Sequence, residues 1–138
     1  MNITVYTDGG SLNNPGPAAI AFIIYRDRNK VASLSKAIGV ATNNTAEYKA
    51  LIAALEKILE LSDSIKLASV QKITTISDSE LMVRQLNGIY KVKKPDIKGY
   101  IDQIRVLKSR ISVPFEHTHV LREKNTEADA LVKQALGR

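Results

Sequence analysis

The chain has 138 residues, 44% of them hydrophobic and 25% charged, which is the composition of a folded domain of ordinary size. It contains no cysteine, which excludes disulfide scaffolds, thiol nucleophiles and cysteine-ligated zinc. Its 20 Lys and Arg outnumber its 14 Asp and Glu, and the net charge of +6 is compatible with a polyanionic partner. No apolar run approaches the ~20 residues of a membrane span, and the first residues do not resemble a signal peptide, so we expect a cytoplasmic protein without a membrane partner.

The first half of the chain predicts three strands and a helix. Residues 2–8 alternate between the two faces of a strand, and the turn-forming residues 9–17 predict a loop. The β-rich segments 18–25 and 31–40 predict two further strands joined by a hairpin turn. Apolar residues then recur every three or four positions, which predicts an amphipathic helix over residues 44–61.

The second half predicts strands that alternate with helices. Residues 70–76 and 113–120 read as strands, while residues 79–87, 95–110 and 126–136 read as helices. The resulting order, β-β-β-α-β-α-α-β-α, predicts an α/β fold with a mixed sheet and helices on both faces.

Two acidic residues end predicted strands. Asp8 follows the first strand and Asp78 follows the strand at 70–76. The carboxyl ends of strands are where open α/β sheets bind ligands, so both are candidate ligand residues. Each also fits a purely structural role, Asp8 in a turn and Asp78 as a helix N-cap.

Two further acidic residues lie on the inward faces of predicted helices. Glu47 heads the apolar face of the first helix, where it is either a metal ligand or part of a capping box with Asn43 or Asn44 as the N-cap. Asp129 shares the inward face of the last helix with Val132, which is a costly position for an unpaired carboxylate.

Converging carboxylates need cations to stay ionised side by side. Oxygen ligands in a chain without cysteine favour Mg²⁺, or Mn²⁺ as a substitute. Two such ions can clamp the attacking and leaving oxygens of a phosphoryl transfer. An acidic site within a basic protein therefore suits a phosphodiester substrate.

Four motifs in chain order carry a family resemblance. They are YTDGGSLNNPGP, TNNTAEY, SDS and NTEADAL, beginning at residues 6, 42, 77 and 125. With these motifs the chain resembles type 1 ribonuclease H over nearly its whole length. The resemblance implies the ribonuclease H-like fold, a five-stranded mixed sheet flanked by helices on both faces, as a single catalytic domain over residues 1–138.

The resemblance also implies an activity. A member of this family is a metal-dependent endonuclease that cuts the RNA strand of RNA–DNA hybrids and leaves 5′-phosphate and 3′-hydroxyl ends. The family's catalytic acids, which hold two Mg²⁺ ions, would correspond to Asp8, Glu47, Asp78 and Asp129. We expect the protein to be a monomer.

Substrate contacts are implied at the same motifs. Asn14, Asn43 and Asn44 match family positions that contact the hybrid near the 2′-hydroxyls, although each also fits turn or cap chemistry. Gly9 and Gly10 would let the backbone approach a ribose closely.

The chain departs from many family members before the last acid. Many members carry a histidine in a loop there, proposed to assist metal exchange or product release, whereas residues 120–125 are short and contain none. Arg122 is the candidate for that role. His117 and His119, on the last predicted strand, are interpreted as structural or surface residues rather than ligands.

Some members also insert a basic helix that grips the DNA strand. Only residues 89–94 separate Gly88 from Pro95, too few for a helix and its turns, so we expect that helix to be absent. Lys91, Lys93 and Lys94 then either contact phosphates or form a solvated charged surface.

Two other kinds of function stay open at this point. One is a nuclease of the same fold with another substrate, such as a 3′-exonuclease or a junction resolvase. The other is a non-catalytic hybrid-binding module, although such a protein gains nothing from carboxylates that face phosphates.

Overall fold

The computed structural model describes all 138 residues, which form five strands and four helices in the predicted order. The strands are β1 (Asn2–Ser11), β2 (Gly16–Arg26), β3 (Asn29–Ala41), β4 (Lys72–Ser77) and β5 (Phe115–His119). The helices are α1 (Asn43–Glu60), α2 (Glu80–Leu86), α3 (Pro95–Ile111) and α4 (Thr126–Ala135). No helix is both long and apolar enough to cross a membrane.

The strands form one mixed sheet in the order β3-β2-β1-β4-β5. The first three strands run antiparallel to one another, whereas β4 pairs in parallel with both β1 and β5. Because β1, β4 and β5 are parallel, their carboxyl ends meet at the same edge of the sheet. Residues that follow β1 and β4 are therefore neighbours in space despite their distance in sequence.

Helices cover both faces of the sheet, as predicted. On one face, α1 and α3 bury the main core, in which Ile3 of β1 packs with Leu51 of α1 and Ile104 of α3. On the other face, Val132 of α4 packs on Ala19 and Ala21 of β2. The inward positions of α4 therefore lie over the strands that lead to the carboxyl edge.

The predicted loop at residues 9–17 is wrong at both ends. Gly9 and Gly10 continue β1 and pair with Ile20 and Ala19 of β2, so the connection shrinks to residues 12–15. Cross-strand pairing over this length outweighs the local preference of glycine for turns. The other predicted element ends differ from the structure by at most two residues, which is ordinary for such boundaries.

The connection between α2 and α3 contains no helix, which confirms that the inserted basic helix is absent. Its three lysines, Lys91, Lys93 and Lys94, are all exposed.

Candidate active site

Three acidic side chains converge at the carboxyl edge of the sheet. Asp8 lies in β1 just beyond Tyr6, the last residue that pairs with β4, and Asp78 directly follows β4. Glu47 reaches the same place from α1. One carboxylate oxygen from each of the three lies within 4.8 Å of the other two. Asp8 and Glu47 are buried, with 6% and 7% of their surfaces exposed.

Glu47 does not cap its own helix, so the alternative of a capping box with Asn43 or Asn44 is wrong. The N-cap of α1 is Thr42, whose side chain accepts a first-turn N–H at 3.1 Å. Glu47 lies beyond that first turn, and its Oε1 instead accepts the backbone N–H of Gly9 in β1. The hydrogen bond holds the carboxylate against the sheet.

The approach of α1 to β1 depends on a glycine. A Cβ on Gly9 would lie 2.3 Å from the backbone carbonyl carbon of Ala46, which no side chain can do without moving the helix. The missing Cβ therefore lets α1 bring Glu47 next to Asp8. A Cβ on Gly10 would instead make only an ordinary contact at 3.6 Å. The expected contact of both glycines with a ribose stays a prediction.

Asp78 does not cap α2. That role belongs to Ser79, whose side chain accepts the N–H of Met82 at 3.3 Å, so the alternative interpretation of Asp78 as an N-cap is wrong. The Arg122 Nε lies 3.8 Å from Asp78 Oδ2, with the arginine side chain 81% exposed. A pair this long and this exposed is weak, and it places a free cation beside the cluster.

Asp129 lines the same cleft as the cluster but stands apart from the three converging oxygens. Its Oδ2 is paired with Lys133 Nζ at 3.0 Å, one helical turn along α4. The charge of Asp129 nevertheless contributes to raising the pKa of Asp8, so the two carboxylates are close enough to interact.

The cleft has a volume of about 540 Å³ and contains residues that sequence reasoning missed. Ser79, Lys133 and Arg138 line it, and none of them was singled out. Lys133 could have been found, because a lysine four residues after an inward aspartate on a helix is placed to pair with it. Arg138 offers no comparable sequence signal.

Burial and crowding raise the pKa of all three clustered acids. The pKa of Asp8 rises to about 7, chiefly through burial and then through the charges of Asp78 and Asp129. Burial, followed by the charge of Asp8, also raises the pKa of Glu47 well above its usual value. The pKa of Asp78 is raised mainly by burial, with Arg122 opposing the change.

The residues fit a hard divalent cation. No Lys, Arg or His of the chain forms an ion pair with Asp8 or Glu47. Buried carboxylates that repel one another, with oxygen as the only donor atom, are the chemistry that Mg²⁺ and Mn²⁺ select. A cation between them would replace the protons that they otherwise retain.

Two of the three candidate substrate-binding asparagines, Asn14 and Asn43, have their amide oxygens occupied. Asn43 Oδ1 accepts from the N–H and the hydroxyl of Ser11, at 2.8 and 3.1 Å. Asn14 Oδ1 accepts the Asn43 N–H at 2.9 Å. Both asparagines line the cleft, and with their oxygens engaged each retains its NH₂ group as a donor. Asn44 also lines the cleft, and its buried Oδ1 has no partner.

His117 is a structural residue, in agreement with its interpretation from the sequence. The Lys108 ammonium donates to its Nε2 at 3.0 Å, so its Nδ1 carries the proton and donates to Thr75 Oγ1 at 2.6 Å. Burial, followed by the charge of Lys108, lowers the pKa of His117 to about 4, which keeps the ring neutral at pH 7. Neither His117 nor His119 lines the acidic cleft, and neither do Lys91, Lys93 and Lys94.

Comparison with known proteins agrees with this geometry. Residues 6–135 match a protein family described as reverse transcriptase-like. LC11-RNase H1, isolated from compost by a metagenomic approach, is 42% identical, and its structure superposes with a TM-score of 0.90 over 99% of this chain and 96% of that one. The chain belongs to the ribonuclease H family. Its five-stranded mixed sheet with flanking helices is the fold of that family, as the resemblance implied.

Other members of the ribonuclease H family differ in length. Ribonuclease HI of Halobacterium salinarum is 39% identical over 136 residues, which cover 97% of this chain and 64% of that protein. The bifunctional protein Rv2228c of Mycobacterium tuberculosis is 38% identical over 138 residues, which cover 99% of this chain. The chain spans only 36% of the length of that mycobacterial relative. A second structure of LC11-RNase H1, with a TM-score of 0.89, is a complex with an RNA/DNA hybrid.

Proposed function

We propose that the chain is an endonuclease that hydrolyses the RNA strand of RNA–DNA hybrids and leaves 5′-phosphate and 3′-hydroxyl ends. The observation that carries the proposal is the convergence of Asp8, Glu47 and Asp78, from three separate elements, in a cleft that Asp129 also lines. The LC11-RNase H1 structure with a bound hybrid supports the choice of substrate.

Four carboxylates, those of Asp8, Glu47, Asp78 and Asp129, would hold two Mg²⁺ ions, or Mn²⁺ in their place. When bound, the ions supply positive charge to the attacking and leaving oxygens of the phosphodiester. Asp8 would be central to that set, because one of its carboxylate oxygens lies within 4.8 Å of those of Glu47 and Asp78 and its carboxylate is close enough to Asp129 to interact with it.

Arg122 takes the position of the family histidine in this proposal. Its guanidinium is exposed and lies beside Asp78, so it can contact a phosphate at the cleft without leaving the site. An arginine stays charged at any physiological pH and presents several donors to phosphate oxygens. It would therefore assist the departure of the cleaved phosphate rather than carry a proton.

Selectivity for RNA would come from the asparagines. The NH₂ groups that Asn14 and Asn43 retain are donors, and a 2′-hydroxyl oxygen is an acceptor that DNA lacks. Gly9 and Gly10 line the same cleft, so their backbone would lie next to a sugar bound there. Lys91, Lys93 and Lys94 would add contacts to phosphates away from the chemistry, in a protein whose net charge is already +6.

The direct test is incubation of the protein with a hybrid whose RNA strand carries a label, in Mg²⁺ and in EDTA. We expect internal RNA fragments from the earliest times, with 5′-phosphate ends, and no cutting in EDTA. Mononucleotides released from one end would instead indicate an exonuclease, and cutting of a four-way DNA junction a resolvase. A retarded band that is never cut would indicate a binding module.

Three further properties remain predictions from the sequence. They are the cytoplasmic location, the monomeric state and the organisation of residues 1–138 as a single catalytic domain.

A further inference from the structure

A buried amide joins the last helix to the central strand next to the acidic cleft. Asn125, which immediately precedes α4, has 1% of its surface exposed. Its Nδ2 donates to the backbone carbonyl of Thr7 in β1 at 2.9 Å. The parallel pairing between β1 and β4 ends at Tyr6, so the carbonyl of Thr7 is the first in β1 beyond that pairing.

The side chain of Asn125 makes this bond in place of the one that its position favours. Asparagine is among the best N-cap residues, because its side-chain oxygen can accept an N–H from the first turn of its helix. Asn125 is the N-cap of α4, yet its side chain makes no capping bond. Its Oδ1 is buried without a partner, which is a cost to stability. The amide therefore serves the contact with β1 rather than the stability of its own helix.

The same residue is hydrogen-bonded to the residue before Asp8 and to the backbone of Asp129. Thr7, whose carbonyl accepts from the side chain, immediately precedes Asp8. The backbone carbonyl of Asn125 in turn accepts the N–H of Asp129 at 3.1 Å. A single residue thus connects the strand that carries Asp8 to the helix that carries Asp129, through two hydrogen bonds.

We propose that Asn125 is a positioning residue that sets Asp129 relative to Asp8 and thereby sets the affinity of the cleft for a divalent cation. The inference rests on the proposed function, since it assumes that both acids hold metal. Groups that orient metal ligands without touching the metal typically change metal affinity about 10–100-fold when they are replaced. Loss of the amide should therefore weaken binding of the metal ion more than binding of the substrate.

The test uses Asn125→Ser and Asn125→Ala, compared with the unchanged protein. Serine is too short to reach Thr7 but is itself a good N-cap, so Asn125→Ser protects α4 from unfolding. Calorimetric titration with Mn²⁺, without substrate, should show binding at least about tenfold weaker in both variants. In hybrid cleavage, the Mg²⁺ concentration for half-maximal rate should rise by a similar factor, while the KM for hybrid changes less than twofold.

A matched control loosens α4 at a different point. Glu127 anchors the helix to Tyr25 and Lys30, away from the acidic cleft. Glu127→Ala should lower the melting temperature and leave Mn²⁺ affinity unchanged.

Three results would overturn the inference: unchanged Mn²⁺ affinity in both Asn125 variants, equal weakening by Glu127→Ala, or unfolding of both Asn125 variants at 25 °C, which would assign the amide to stability alone. Failure of the unchanged protein to cut hybrid would contradict the proposed function instead, and the titration would still decide the role of Asn125.

Discussion

At the scale of single residues, the site is defined by carboxyl groups that cannot all be ionised together. Burial and mutual repulsion raise the pKa values of Asp8, Glu47 and Asp78, with that of Asp8 at about 7. Without a divalent cation the cluster therefore retains protons at neutral pH, and binding of the cation must release them. This coupling makes both the activity and the stability depend on charge at these positions.

Asp78→Asn tests the charge directly. The amide keeps the shape of the side chain and removes the charge that holds a cation, so we expect hybrid binding to persist and cleavage to fall by several orders of magnitude. Single-turnover cleavage in Mg²⁺ measures this loss. Asp102→Asn is the control, because Asp102 is an exposed residue of α3 and should change nothing. More than about 10% of the original rate in Asp78→Asn would contradict the metal assignment at this position.

The raised pKa of Asp8 predicts a pH-dependent stability. Between its usual value of 3.8 and the folded value of about 7, the folded carboxyl keeps a proton that the unfolded chain has lost. Its stabilising contribution is thus complete below about pH 4 and disappears as the pH rises to about 7. At about 1.36 kcal/mol per pKa unit, the effect is at most about 4 kcal/mol.

Denaturant unfolding of the metal-free protein and of Asp8→Asn, from pH 4 to 8, checks this prediction. The difference between their free energies of unfolding should fall with rising pH and level off above about pH 7. His117, with its pKa lowered to about 4, contributes a slope of opposite sign, but it is present in both proteins and cancels in the difference. A difference that does not vary with pH would show that the pKa of Asp8 is not raised in the folded protein.

At the scale of elements, the packing of α1 on β1 brings the acids together. Gly9→Ala places a Cβ inside the backbone of α1 and must push the helix outward, so we expect a loss of at least about 2 kcal/mol in stability and of most of the cleavage activity. Gly10→Ala is the matched control, since its Cβ has room and the fold should tolerate it. Thermal unfolding and cleavage rates compare the two. Equal effects of both substitutions would show that α1 can adjust.

The elements also show what sequence reasoning can and cannot reach. The periodicity of apolar residues located all nine elements, because burial on one face controls both helices and strands. It failed at Gly9 and Gly10, where residues typical of turns lie in a strand, and at Gly9 the reason is that α1 occupies the space of a side chain. That requirement depends on a helix more than thirty residues away, so it cannot be predicted from the residues near Gly9.

The acids of the site could be predicted from the sequence, but residues whose roles depend on distant contacts could not. The acids stood out because a charge at an inward or strand-end position conflicts with burial, and the family motifs surrounded them. Asn43 or Asn44 was one alternative for the N-cap of α1, whereas Thr42 forms the bond, because neighbouring residues able to cap differ only in backbone geometry. Asn125 and Arg138 were missed, since their roles follow from contacts across the sheet and along the cleft.

At the scale of the whole molecule, the position of the positive charge decides what it can contribute. The exposed lysines of the α2–α3 connection lie outside the acidic cleft. If they contact phosphates, their contribution is uniform binding, which lowers KM without raising kcat. Replacing Lys91, Lys93 and Lys94 together by alanine should then weaken hybrid binding at low salt. The slope of log K against log salt should flatten by roughly 2–3, close to one unit for each lost phosphate contact.

The control removes the same charge from the opposite end of the sheet. Lys66, Lys72 and Arg110 lie near the start of β4 and the end of α3, so their replacement by alanine should leave hybrid binding nearly unchanged. Fluorescence anisotropy at several salt concentrations measures both triple variants. Equal slopes for the two would assign the α2–α3 lysines to the solvated surface and direct the search for the substrate groove elsewhere.

The central position of β1 has a consequence for biosynthesis. Among the nine elements described, this strand is made before the others, whereas one of its two neighbours, β4, begins at residue 72 and the helix that carries Asp129 is the last of the nine to be made. At about 5–20 residues per second, the ribosome needs several seconds to proceed from β1 to the helix that carries Asp129. A nascent chain can form the β1–β2–β3 meander in that time but lacks the final carboxylate. Under the proposed function, a half-made enzyme therefore cannot attack RNA, and nuclease activity begins only when synthesis has passed the last acid.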